Sequence, residues 1–210
     1  MRVVIAGGHG KIALLTAELL TDRGDEVISL VRNPDHFEDV KAVGAEPVLC
    51  DLEATDPDSL AEHLKGADAA VFAAGAGPGS GAARKDTVDR AAAALFTTAA
   101  QQSGVARFVQ ISTTGIGRVT GDEVFDAYLT AKAAAETDLK SRPLDWTILR
   151  PGRLTDAPGT GRVELSESPL RGEVPRADVA AVLVALLDHP ATAGHTYELI
   201  SGSTPIEEAL

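Results

Sequence analysis

A single cysteine among 210 residues leaves no partner for an internal disulfide, and no second thiol or tight histidine cluster stands near it to make a zinc site. His9, His36, His63, His189 and His195 are scattered without metal-ligand spacing, so no bound metal is expected. Basic residues are also in short supply. Nineteen Lys and Arg face 31 Asp and Glu, a net charge of −12 at pH 7, which is the wrong sign for a protein that tracks phosphates along a nucleic acid. Long apolar runs are missing too. Stretches such as Val179–Leu187 fall short of the ~18 consecutive apolar residues of a membrane span, and Val3–Ala6 is shorter than the ~7–15 residues of a signal-peptide core. No membrane partner and a cytoplasmic location are the expectation. There is no internal repeat, no block of like charge and no long linker.

What is present is an ordinary globular composition, 44% hydrophobic and 24% charged. One domain over residues 1–210 is expected. Short runs rich in β-branched residues alternate with longer amphipathic ones. Val3–Ala6, Val27–Val31, Pro47–Leu49, Ala69–Ala73, Phe108–Ser112, Trp146–Arg150 and Tyr197–Ile200 read as strands. Helical patterns lie between most of them, at Lys11–Asp22, Pro57–Leu64, Arg84–Gln102, Phe125–Lys140 and Ala177–Leu187, each free of internal proline. Strands that are apolar throughout are buried on both faces, so the prediction is a doubly wound parallel sheet in a three-layer α/β/α arrangement of Rossmann type. Thr204-Pro205-Ile206-Glu207 has the pattern of a capping box and predicts a last short helix.

The chemistry starts at the first turn. Gly7-Gly8-His9-Gly10-Lys11-Ile12-Ala13 comes after the first strand and opens the first helix. Glycines there let the backbone turn sharply and approach a pyrophosphate, whose charge rests on free N–H groups at the helix N-terminus. Gly7, His9, Gly10, Lys11 and Ile12 are therefore candidate cofactor-binding residues, His9 chiefly through its backbone N–H. A P-loop would need four residues between its glycines and Ser or Thr after the lysine, where this chain has Ile12, so ATP hydrolysis is not indicated.

The end of the second strand selects the dinucleotide, because an acid there bonds the ribose 2′-hydroxyl and an arginine accommodates a 2′-phosphate. The strand ends Ser29-Leu30-Val31-Arg32, without Asp or Glu. The planar guanidinium of Arg32 suits phosphate oxygens, so NADP(H) is expected, with NAD(H) as second choice. Asp51 and Leu52, with Ala73, Ala74 and Gly75, fall at the carboxyl edge of the third and fourth strands and are expected to line the same ligand. Cys50 reads as a buried small hydrophobe.

These residues, with Ile111-Ser112-Thr113, Tyr128-x-x-Ala131-Lys132, Asp145-Trp146-Thr147-Ile148-Leu149-Arg150-Pro151-Gly152 and Arg176-Ala177-Asp178-Val179-Ala180, resemble the atypical short-chain dehydrogenases/reductases that have a single NAD(P)H-binding domain, the group with NmrA-like and biliverdin-reductase-like members. The resemblance covers nearly the whole chain. It implies a Ser/Thr, Tyr and Lys set in which Tyr128 exchanges the proton of a carbonyl or alcohol, and Lys132 lowers its pKa and holds the nicotinamide ribose. Residues four apart share a helix face, and a nearby ammonium favours phenolate, so the pair is physically able to act together.

Ser112, Thr113 and Thr114 offer three hydroxyls at the end of the fifth strand. Thr114 is taken first by position for the catalytic set, with Ser112 and Thr113 as alternatives and Ser112 also placed near the cofactor. By resemblance Pro151, Gly152 and Arg153 pass the nicotinamide end, and a flap over about residues 151–175 covers the substrate. The loop Ala73-Ala74-Gly75-Ala76-Gly77 lacks the asparagine common there in the family. The implied function is an NADP(H)-dependent oxidoreductase acting on a small carbonyl compound such as a quinone, aldehyde or diketone, as a monomer or homodimer. The alternatives are an NADP(H) sensor without turnover, whose Gly75–Gly81 or Leu154–Ser168 loop changes order with cofactor, and an NAD(P)-dependent isomerase or epimerase.

Overall fold

The computed structural model describes residues 1–77 and 79–210. Pro78, within the expected Gly75–Gly81 loop, lies outside the described residues. The chain opens β1 (Arg2–Ala6), α1 (Lys11–Asp22), β2 (Glu26–Val31), α2 (Phe37–Ala42), β3 (Glu46–Leu49), α3 (Pro57–Leu64) and β4 (Ala69–Phe72). A continuous helical stretch is next. It begins as α4 (Ala82–Arg84), widens to π winding over Lys85–Ala92 and returns to α winding as α5 (Ala93–Ser103). Then come β5 (Arg107–Ile111), α6 (Glu123–Lys140), β6 (Asp145–Pro151), β7 (Arg153–Thr155), β8 (Arg162–Ser166), β9 (Glu173–Pro175), α7 (Arg176–Asp188), β10 (His195–Ser201) and β11 (Thr204–Pro205).

Nine strands make one sheet in the order β11-β8-β10-β6-β5-β4-β1-β2-β3, and β7 pairs with β9 in a separate parallel ribbon. From β3 through β10 every pairing is parallel, whereas β8 runs antiparallel to β10 and β11. The expected doubly wound α/β sheet is what forms. Alternate residues along each strand feed opposite faces. Val3, Ile5, Val27, Val71, Val109 and Leu149 pack with α1 and α7, while Val4, Ala6, Ile28, Phe72, Phe108 and Ile148 pack with α3, α5 and α6. On the second face Phe72, Phe96 and Phe108 are fully buried with centroids 6.1 and 5.6 Å apart, and each such pair is worth about 0.5–1.5 kcal/mol beyond its area.

The helix starts show which ends the protein satisfies for itself. Asp56 accepts from Ser59 N at 2.9 Å to cap α3, and Asp122 accepts from Phe125 N at 2.9 Å to cap α6. At α1 the cap position is Gly10, with no side-chain cap bond and no acid in the first turn. That helix end points at the place where the sheet order reverses, since β1 lies between β2 and β4. In open α/β sheets this crevice at the carboxyl ends is the ligand site.

Three regions depart from the sequence expectation. Phe37–Ala42 forms a helix of six residues, anchored by buried Val40. The segment 151–175 is divided, because β8 joins the main sheet against β10 with Leu199 opposite Leu165, while β7 pairs with β9 in the separate ribbon. Thr204 and Pro205 do not open a helix. They pair with Val163 and Arg162 of β8, whose free edge takes them into the ladder, and only a single 3₁₀ turn over Ile206–Glu208 comes after them. Among the described residues no helix is long and apolar enough to cross a membrane, and no group of three or more His, Cys, Asp or Glu is placed to hold a metal ion.

Candidate active site

Two cavities open along the carboxyl edge, joined where both touch Ala73, Ala74 and Gly75. The first, about 270 Å³, is lined by Gly7, His9, Gly10, Arg32, His36, Asp51, Leu52, Glu53 and Arg84 among others. The second, about 540 Å³, is lined by residues including Ile12, Lys85, Asp89, Ser112, Thr113, Tyr128, Lys132, Pro151 and Gly152.

The glycine loop is held by Gly8 N donating to Leu30 O at 3.0 Å and Gly10 N to Gly7 O at 2.9 Å. Leu14 N makes the first α-helical bond, to Gly10 O at 2.9 Å, so the N–H groups of Lys11, Ile12 and Ala13 have no acceptor one turn back. Gly7 sits at φ +78°, where a Cβ would lie 2.6 Å from the Ala74 Cα. A Cβ at Gly8 would meet the Ser29 Cβ at 2.4 Å. This bare, positively polarised helix end fits a pyrophosphate. His9 stacks on His36 with centroids 3.6 Å apart and reaches Asp39 at 2.8 Å, leaving its backbone to face the loop. The Lys11 side chain turns away to Asp156 at 2.7 Å.

At the mouth of the first cavity three groups converge on one carboxylate. Arg32 lies 3.6 Å from Glu53, Arg84 lies 2.5 Å from it, and the Thr87 hydroxyl donates to it at 2.6 Å. The Thr87 hydroxyl and the two guanidinium groups outweigh the cost of burial and hold the Glu53 carboxyl below its usual range. Arg32 stands where the sequence placed it. Glu53, Arg84 and Thr87 were missed, although Glu53 comes directly after Asp51-Leu52 in the sequence.

The second cavity is lined by three buried charges, Lys85, Asp89 and Lys132. Lys132 Nζ lies 3.2 Å from Asp89 Oδ1 and 3.2 Å from the Ile111 carbonyl, with 5.8 Å to the Tyr128 ring centroid. Asp89 also accepts from Ala76 N at 3.2 Å, tying down the loop after β4. Burial pushes the Tyr128 phenol up to about 12. The Thr113 hydrogen bond opposes that shift and the Asp89 charge adds to it. The expected lowering by Lys132 is not found, because Asp89 sits on the same ammonium and the pair acts on Tyr128 as a dipole. At neutral pH the phenol keeps its proton.

Thr113, not Thr114, is the hydroxyl beside Tyr128. Thr114 is outside the cavity lining, its N–H spent on Pro151 O at 3.2 Å. Ser112 donates to Glu136 at 2.6 Å, and Glu136 in turn takes two bonds from Arg150 at 2.8 and 2.5 Å, so Ser112 stiffens the wall. Arg153 faces solvent and pairs with Glu173, while Pro151 and Gly152 do line the cavity. Gly152 has no room for a side chain, a Cβ there coming 2.5 Å from Gly172 O. Asp178, on α7, holds the 157–161 loop by accepting from Thr160 N and Gly161 N, each at 2.9 Å.

A glycine cradle at a bare helix end, at the carboxyl edge of a doubly wound sheet where the strand order reverses, is the arrangement of a nicotinamide-dinucleotide-binding fold. The chain belongs to the NAD(P)H-binding family, which it matches over residues 7–190. It is 36% identical, over all of this chain and 99% of the relative, to YhfK of Bacillus subtilis (strain 168), described as an uncharacterized sugar epimerase. A Bacillus halodurans protein named provisionally as an NAD-dependent epimerase/dehydratase superposes with TM-score 0.90 at 34% identity, covering 99% of this chain and 97% of the other. ChuY of Escherichia coli O157:H7, described as an anaerobillin reductase, shares the fold with TM-score 0.80 at 24% identity, over 96% and 97% of the two chains.

Proposed function

We propose that the protein is an NADP(H)-dependent reductase of small carbonyl compounds, with Tyr128 as proton donor. The observation that carries this is the placement of Tyr128 and Lys132, one helical turn apart, in a cavity that shares Ala73, Ala74 and Gly75 with the cavity at the glycine cradle. The N–H groups of the α1 first turn would hold the pyrophosphate, with Gly7, Gly8 and Gly10 giving it room. Asp51, Leu52, Ala73 and Ala74 would line the adenosine path, and Arg32 would meet the 2′-phosphate. When bound, the reduced nicotinamide supplies the hydride to a carbonyl carbon. Tyr128, protonated at neutral pH, gives its proton to the carbonyl oxygen as hydride arrives at the carbon. Thr113 orients the phenol. Lys132, held by Asp89 and Ile111 O at the cavity wall, would hold the nicotinamide ribose through its remaining N–H.

NADPH oxidation is to be followed across quinones, aldehydes and diketones. At least one is expected to turn over, and Tyr128→Phe is expected to slow it about 10²- to 10⁴-fold with NADPH affinity retained. Unchanged turnover in the variant removes Tyr128 from the mechanism. The epimerase wording of two relatives supports a second reading, in which the cofactor is returned unchanged. Net loss of NADPH with each turnover separates the two.

A further inference from the structure

Among the described residues the buried charges are held by an opposite charge or by several hydrogen bonds, with Lys85 as the exception. Lys132 has Asp89, Glu136 has Arg150, and Glu198 has Leu170 N at 2.6 Å with Arg150 at 3.8 Å. Asp178 accepts bonds from Thr160 and Gly161. Lys85 is only 9% exposed, yet among the described residues its ammonium donates to a single acceptor, the Gly77 carbonyl at 2.9 Å. Among the described residues no carboxylate oxygen comes within 4.0 Å of it. Its other neighbour is the Tyr128 ring, 5.4 Å from ammonium to centroid. A buried cation loses several kcal/mol of hydration, and one carbonyl and one ring face restore only part of that.

Lys85 lines the same cavity as Tyr128. The acids of that cavity are already engaged. Asp89 is taken by Lys132 and Ala76 N, and Asp122 caps α6 through Phe125 N. A positive charge is thus left facing the space beside the proton donor, without a counter-charge from the protein. We propose that Lys85 anchors an anionic group of the substrate, so that the preferred substrates are carbonyl compounds with a carboxylate close to the carbonyl, as in 2-oxo acids. Lys85 Nζ lies 5.4 Å from the Tyr128 ring centroid in the same cavity, so one small molecule would present its carboxylate to Lys85 and its carbonyl oxygen to Tyr128. This rests on the reading of Tyr128 as proton donor to a carbonyl.

The test uses a matched pair, phenylglyoxylate and its methyl ester, which differ in the charge. Wild-type protein with NADPH is expected to favour the acid at least about 10-fold in kcat/KM, and Lys85→Met is expected to lower the acid-to-ester ratio about 10- to 100-fold, the range for a lost hydrogen bond between charged groups. A purely structural lysine would lower both rates together and leave the ratio unchanged, which overturns the proposal, as does a wild-type ratio near one. The second arm needs no turnover. Oxamate titrated calorimetrically into the NADP⁺-loaded protein is expected to bind wild type and to bind Lys85→Met about 10- to 100-fold more weakly. Absence of oxamate binding to wild type, or equal binding to both, overturns the proposal. If the ester and acid are both inert while oxamate binding depends on Lys85, the anion anchor stands and the reductase reading fails.

Discussion

The two cavities share Ala73, Ala74 and Gly75 but differ in how their charges are held. At the first cavity Arg32 and Arg84 stand at the surface with Glu53 between them, free to exchange partners. At the second, Asp89 and Lys132, with Glu136 behind Ser112 of its wall, are almost fully buried, and each is fixed by two or more protein atoms. Solvated charges cost little to rearrange and contribute little to stability, whereas buried ones are fixed and costly to orphan. One half can therefore adapt to its ligand, while the other arrives with its geometry already set.

The sharpest way to break this contrast is Glu136→Ala, which strips Arg150 of its bidentate partner and leaves Glu198 at 3.8 Å. Urea unfolding is expected to show a loss of about 3–5 kcal/mol, and a loss below about 1 kcal/mol would place Glu136 with the surface charges. Next comes Tyr128 itself. Its folded pKa of about 12 lies above the usual 10, so between those values the unfolded chain binds fewer protons and stability falls as pH rises through that window. The expected loss is about 2–3 kcal/mol by the upper end, and Tyr128→Phe should flatten most of the slope. A smaller part belongs to Tyr197, whose pKa burial also raises.

At the first cavity the effects are on binding rather than folding. Fluorescence titration is expected to show a roughly 10- to 100-fold preference for NADPH over NADH that Arg32→Ala erases, with urea stability unmoved. Glu53→Gln is expected to act in the opposite direction, tightening NADPH about 2- to 5-fold by releasing both arginines while leaving NADH unaffected. A weakened NADPH affinity in that variant would instead give Glu53 a direct role with the ribose.

The same division decides what could be read in the sequence. Helix bounds at Lys11–Asp22 and Pro57–Leu64 were legible because Gly10 and the Asp56-Pro57 pair punctuate them locally. The central strands were legible because burial on both faces keeps their runs mainly apolar, with few polar residues such as Ser29, Gln110 and Thr147 inside them. Edge pieces such as β7, β8, β9 and β11 were not, since their pairing comes from a distant strand and their own residues are largely polar. Within the site, features set by chain position were visible, including the cradle, Arg32 and the Tyr128–Lys132 spacing. Features set by side-chain direction were hidden, as Thr113 against Thr114 and the outward turn of Arg153 show. Lys85 and Asp89 stand four apart ahead of an alanine-rich stretch, a pattern indistinguishable in sequence from an exposed ion pair.

The π-wound stretch Lys85–Ala92 ties these observations to chain length. It is the loosely coiled middle of a single rod, with Lys85 and Asp89 on the cavity at one end and Phe96 locked among aromatic rings at the other. Deleting one residue from it would let the rod close toward α winding, with fewer residues in each turn, and so re-aim Lys85 and Asp89 relative to Phe96. Redesign of substrate choice here therefore has two handles, the exchange of side chains and the winding of the rod that carries them.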